Sequence, residues 1–244
     1  MPIRAYNTRV LTDEFDFSGN SNSIEVGLEV PNIDYNVFQT SHVLRIPNNP
    51  SATIAHNGYY NGPDAGDWEK ELYDRLGTTT AAYATAIFGT SETIPVAYTI
   101  DSTWSDQLAV AAQTDQLITV NGNWASGSEQ TYRCYQLYYG TISATGTQTG
   151  IDFGSAGSAG GVAYVHIISI TGSASSATID IESDDNSGFT SAASEGTATF
   201  SAVGVQKVTM TGTVDRYLRI NTTSLGGATD FTVAVVAAVS GVTY

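Results

Sequence analysis

The sequence has one cysteine, two lysines, three histidines and no apolar run near the roughly 18 residues that a membrane-spanning helix needs. With Cys134 alone, no disulfide can form within the chain, which fits a reducing compartment or a fold that needs no covalent staple. Nine basic residues stand against 24 acidic ones, giving a net charge of -15 and a pI near 4.2. Binding to DNA or RNA phosphates needs a basic patch, and Lys70 and Lys207 are the only lysines, so direct nucleic-acid binding is disfavoured. Residues 1–9 lack an apolar signal core, and the expectation is a protein made and folded in a cytoplasm, with no membrane partner. On that expectation the acceptor-like triplet at Asn221 is accidental.

Charged residues make up 14% of the 244, well below the average of about 25%, so Ser, Thr, Asn and Gly carry the polarity. Apolar and polar residues alternate along much of the chain, the period of a half-buried strand. In Ser23–Val30, the residues Ile24, Val26, Leu28 and Val30 share a face predicted to meet a core, while Glu25, Gly27 and Glu29 share the other. Further strands are predicted at His42–Ile46, Thr93–Ile100, Gln116–Trp124 and Tyr132–Tyr139. One helix is predicted within Pro63–Gly77. Asp64 is its candidate cap, Trp68, Leu72 and Leu76 form its apolar stripe with Tyr73 at the edge, and Gly77 ends it.

The composition changes after about residue 126. The Gly/Ser/Ala stretch 154–161 reads as a loop and matches no phosphate-binding pattern. Beyond it, Val162–Ile170, Ala177–Glu182, Gln206–Met210, Arg216–Ile220 and Phe231–Val239 read as the strands of an all-β sandwich, the last of them central and buried on both faces. The expected class is mainly β: residues 1–130 a β-sandwich or barrel with one flanking helix, residues 131–244 an antiparallel β-sandwich.

No residue set is assembled for catalysis, so the expectation is a protein that is not an enzyme and uses no cofactor or metal. His42, His56 and His166 are scattered, without zinc-ligand spacing, and Cys134 reads as packing. The cluster Glu182, Asp184, Asp185 before Gly188 reads as a strand-end turn. A calcium loop would need a distal bidentate Glu, and Ser194 stands in that place with Glu195 one position later. A glycosidase pair would need a second carboxylate across a cleft.

The run Val10–Phe38 resembles the opening of the major tail proteins of long-tailed bacteriophages, the tail tube subunits. Asp16 and Ser18 match that family's D-x-S element, and Asp34 and Phe38 match the ends of a D-x-T-x-F element, with Asn36 standing where Thr is usual. The segment His56–Gly62, the helix after it, and the C-terminal runs Thr178–Phe189, Asp215–Ile220 and Phe231–Val236 are similar to the family's strand end, helix and added β-sandwich. The resemblance implies a virion structural protein of a non-contractile tail, assembled in a bacterial cytoplasm. Its subunits would form hexameric rings stacked into a hollow tube that conducts DNA. The implied partners are other copies of the chain and the tape measure, tail terminator and distal tail proteins.

The first 130 residues carry a net charge of -11 and the rest -4, so like charge would line the tube and keep DNA sliding. Glu25 and Glu29 are the candidate lumen-facing residues. Residues 131–244 would face outward as a decoration. The segment Val30–Asn61, with Pro31, Pro47 and Pro50, and the residues before Val10 are expected to contact neighbouring subunits. The alternatives are a head decoration or minor tail protein, and a carbohydrate-binding module using Trp104 and Trp124.

Overall fold

The computed structural model describes residues 7–35, 44–47, 50–64, 66–78, 82–90, 92–127 and 130–241, and only the backbone of 32–35 and 44–47. The fold is mainly β with antiparallel sheets and one α-helix. In chain order the strands are β1 (Thr8–Thr12), β2 (Phe15–Asp16), β3 (Ser21–Glu29), β4 (Asn32–Tyr35), β5 (Leu44–Pro47) and β6 (Ser51–Tyr59). Helix α1 (Trp68–Asp74) follows, then β7 (Ala82–Phe88), β8 (Val96–Ala111), β9 (Thr119–Ser126), β10 (Thr131–Ile142), β11 (Gly146–Thr147) and β12 (Ile151–Asp152). The chain closes with β13 (Gly161–Gly172), β14 (Ala177–Asp184), β15 (Ala193–Phe200), β16 (Gly204–Met210), β17 (Tyr217–Ser224) and β18 (Ala228–Val239).

Two compact units form. The first gathers residues 1–19, 85–99 and 132–244, and the second gathers 20–84 and 100–131. The compositional boundary near residue 130 thus lies where the chain re-enters the first unit, which has already taken in two earlier segments.

In the first unit the strands run in the order β16-β13-β18-β10-β8-β7-β1-β2, and a second sheet runs β11-β17-β14-β15 with β12 also on β17. Val165, Ile167, Val233 and Val235 from one sheet pack with Ile179, Ile181, Leu218 and Ile220 from the other in a single apolar core. As its two-sided apolar sequence predicts, β18 is a central strand, paired with both β10 and β13 and buried on both faces. The D-x-S element ties β1 to β2. Asp16 accepts hydrogen bonds from the Ser18 backbone N–H at 3.0 Å and from the Ser18 hydroxyl, and the Ser18 oxygen accepts the Val10 N–H at 3.1 Å.

The second unit has the strand order β3-β6-β9-β8, using the later part of β8, with α1 packed on one face. Its helix is shorter than the sequence suggests. Asp67, not Asp64, precedes the first turn, and its carboxylate accepts the Asp64 N–H at 3.0 Å instead of capping the helix. Trp68 and Leu72 are fully buried, but Leu76 lies beyond the last turn and is exposed, as is Tyr73. Glycines on the sheet let the helix approach: a Cβ on Gly122 would lie 2.3 Å from Leu72 Cδ1, and one on Gly58 would lie 3.3 Å from Trp68 Nε1. The segment after Val30 is no bare connector, because Ser51–Tyr59 forms a full strand of the sheet and Asn32–Tyr35 pairs with Leu44–Pro47. Of the expected strand at His42–Ile46, Leu44–Ile46 lie in β5; His42, Val43, Asn36 and Phe38 lie outside the described residues.

Candidate functional site

The surface that stands out lies on the second unit, and strand alternation builds it. Ala52, Ile54, His56 and Gly58 of β6 and Val120, Gly122 and Trp124 of β9 point to the side that α1 covers, and all are buried. The register places Ser23, Glu25 and Gly27 beside Asn57, Ala55 and Thr53, and these beside Asn121, Asn123 and Ala125, on the opposite side. That side is small and polar. The Asn57 amide donates to Ser23 Oγ at 2.9 Å, and the Asn123 amide donates to Gln107 Oε1 at 2.9 Å. Glu25 and Glu29 are both exposed on β3 and belong to this side, as their alternation with Ile24 and Val26 predicts.

The other half of the β3 pattern departs from expectation. Ile24 and Val26 are half-buried, but Leu28 is 59% exposed and Val30 52% exposed, although they were predicted to meet a core. With Pro50, Ala52, Ser126 and Thr131 they line an open, largely apolar groove of about 280 Å³ at one end of the sheet. At the other end the β8–β9 hairpin carries a second apolar cluster. Leu117 is 69% exposed, and Val110, Ile118, Tyr59 and Tyr60 are exposed beside it. The Tyr60 N–H donates to the Ile118 carbonyl at 3.0 Å, which fixes the cluster to the end of β6. Sequence reasoning missed both clusters; the Leu117-Ile118 pair after Asp115 was the available signal.

The remaining candidates are structural. Asp184 accepts the Asn186 N–H at 2.8 Å and the Ser191 N–H at 2.7 Å, and these backbone donors hold its carboxyl below the usual carboxylate range. Both its oxygens are thus engaged in the turn that the sequence suggests. Glu182 accepts from Arg219 and Asn221, each at 2.7 Å. Among the described residues no group of three or more His, Cys, Asp or Glu is placed to hold a metal ion, and no helix is long and apolar enough to cross a membrane.

His166 is fully buried. Its Nδ1 donates to the Asp13 carbonyl at 2.8 Å and its Nε2 accepts from Thr85 Oγ1 at 2.9 Å, the tautomer that a carbonyl partner imposes. Thr99 bonds Thr85 in turn, and Cys134 reaches Thr99. Burial lowers the His166 pKa to about 4 and the His56 pKa to about 3, and raises that of the Cys134 thiol to about 12. A neutral imidazole and a protonated thiol, sealed from solvent, are packing groups. Trp124 is fully buried and cannot serve as a saccharide platform, while Trp104 is half-buried.

No protein-family model matches the sequence, and no curated protein does. Solved structures with similar folds exist at low identity. The sheath/tube terminator of an extracellular contractile injection system (PVC) in its extended state is 11% identical with a TM-score of 0.42, over 55% of this chain and 96% of that one. A chain from the virion of a native gene transfer agent particle is 9% identical with a TM-score of 0.40, over 54% and 98%. The Dit protein of SPP1, described as a paradigm of the hub adsorption apparatus in phages infecting Gram-positive bacteria, is 10% identical with a TM-score of 0.36, over 94% and 98%.

Proposed function

We propose that the protein is a virion structural protein, the tail tube subunit of a long-tailed bacteriophage, which self-assembles into stacked hexameric rings around a channel for DNA. What carries this reading is the second unit: one sheet with a helix on one face, small polar residues on the other, and exposed apolar clusters at both ends. Isolated exposed apolar residues are ordinary on a soluble protein, but clusters at both ends of one element are what a polymerising subunit needs. The D-x-S staple at Asp16 and Ser18 and the sequence resemblance support the same reading.

On this reading the small polar face lines the channel, with Glu25 and Glu29 as its charges. A net charge of -15 with only nine basic residues gives DNA phosphates little to bind, so DNA slides. Residues 131–244 face outward as a decoration. The partners are other copies of the chain and the tape measure, terminator and distal tail proteins, and the site of action is the virion tail.

Negative-stain electron microscopy of the purified protein over a concentration series tests the proposal. Rings or hollow tubes with a central channel are expected. Particles of single-subunit size at every concentration would refute it.

A further inference from the structure

The two apolar clusters lie at opposite ends of one sheet. Strand β6 runs from Ser51, beside the groove, to Tyr59, beside the hairpin cluster, so nine residues at about 3.3 Å each place them roughly 27 Å apart and facing opposite ways. A surface on one end that fits a surface on the other end of an identical molecule makes a heterologous contact, which repeats from copy to copy without closing.

We infer that the β8–β9 hairpin tip of one copy, led by Leu117 and Ile118, seats in the groove formed by Leu28, Val30 and Pro50 of the next copy along the assembly axis. This rests on the ring-stacking reading above and names the surfaces that meet. The sizes agree. A cavity of about 150 Å³ takes one benzene-sized group, and the groove of about 280 Å³ has room for about two, matching the two adjacent aliphatic side chains of the tip. The chemistry agrees as well, since Leu28, Val30, Pro50 and Ala52 give the groove an apolar part, rimmed by Glu29, Ser51, Ser126, Gln130 and Thr131, and Leu117 at 69% is the most exposed large apolar residue among those described. A contact this small holds two free copies weakly. Six of them formed together between rings act as one multivalent joint, so stacking follows ring formation.

Cysteine cross-linking tests the pairing. The native Cys134 is fully buried, so only introduced thiols react. The double variant Leu28→Cys/Leu117→Cys, allowed to assemble and treated with a short bis-maleimide, is expected to give a ladder of covalent multimers, and each single variant none. Leu117→Asp, at a site exposed in the monomer, is expected to fold and to raise the concentration needed for tube growth by roughly tenfold or more. Tubes from the double variant with no ladder, or cross-linked dimers from Leu117→Cys alone, would overturn the tip-to-groove pairing and leave the tail tube reading intact. Absence of any rings or tubes from the wild-type chain, with no ladder, would sink both.

Discussion

At the scale of single residues, the two described histidines set a response to acid. Both are neutral in the folded protein because burial opposes their charging, with pKa values near 4 for His166 and 3 for His56 against an ordinary 6.5. The unfolded chain therefore binds more protons than the folded one below pH 6.5, and stability falls as pH drops. The loss is about 1.4 kcal/mol per pH unit for each histidine, continuing to pH 4 for one and pH 3 for the other. Urea denaturation midpoints at pH 7.5 and pH 5 measure it, and a lower midpoint at pH 5 is the expected result. The variant His166→Gln, which cannot charge, should show a smaller drop between the two. The sequence showed these histidines without zinc-ligand spacing and left His166 as an inward or an edge residue of its strand, but its partners were not legible, because Thr85 and the Asp13 carbonyl are 81 and 153 residues away.

Among the elements, the contact of α1 with its sheet depends on what Gly122 lacks. Any side chain there meets Leu72, whose Cδ1 would be 2.3 Å from the new Cβ. Gly122→Val is expected to destabilise the protein by about 1–3 kcal/mol through overpacking, read as a lower thermal midpoint. That the helix approaches the sheet at Gly122 was not legible, because Leu72 lies on a separate element 50 residues earlier in the chain. Legibility elsewhere followed the strength of the alternation. Most of β3 showed it, β18 carried an unbroken apolar run instead, and the structure has strands at both. The Ala-rich β7 showed neither, nor did the middle of β8, where Asp101, Thr103 and Ser105 occupy buried positions and invert the pattern. The helix was placed correctly but read too long, because Leu76 continues the apolar spacing past the point where backbone hydrogen bonding stops. At the end of β3 the same spacing placed Leu28 and Val30 in a core, yet both are exposed, because alternation shows which face is apolar and not whether anything covers it.

For the whole molecule, charge and assembly are opposed. Each copy carries a net charge of -15, and Glu29 beside the groove and Asp115 beside the hairpin tip bring further like charge to the proposed joint. Raising salt from 10 mM to 150 mM shortens the screening length from about 30 Å to about 8 Å. The expected outcome is that tubes form at lower protein concentration in the higher salt, measured by light scattering. Weaker assembly at 150 mM would place attractive ion pairs at the contacts instead.

The threading of the chain also bears on how the molecule is made. The second unit is complete once Thr131 has been synthesised, but the first unit cannot close its main sheet until β18, its central strand, has emerged. At roughly 5–20 residues per second, the hundred or so residues between these points take about 5–20 s. For most of that interval β1, β7, the start of β8 and β10 wait on the ribosome, with the β10 edge unpaired until the last strand arrives.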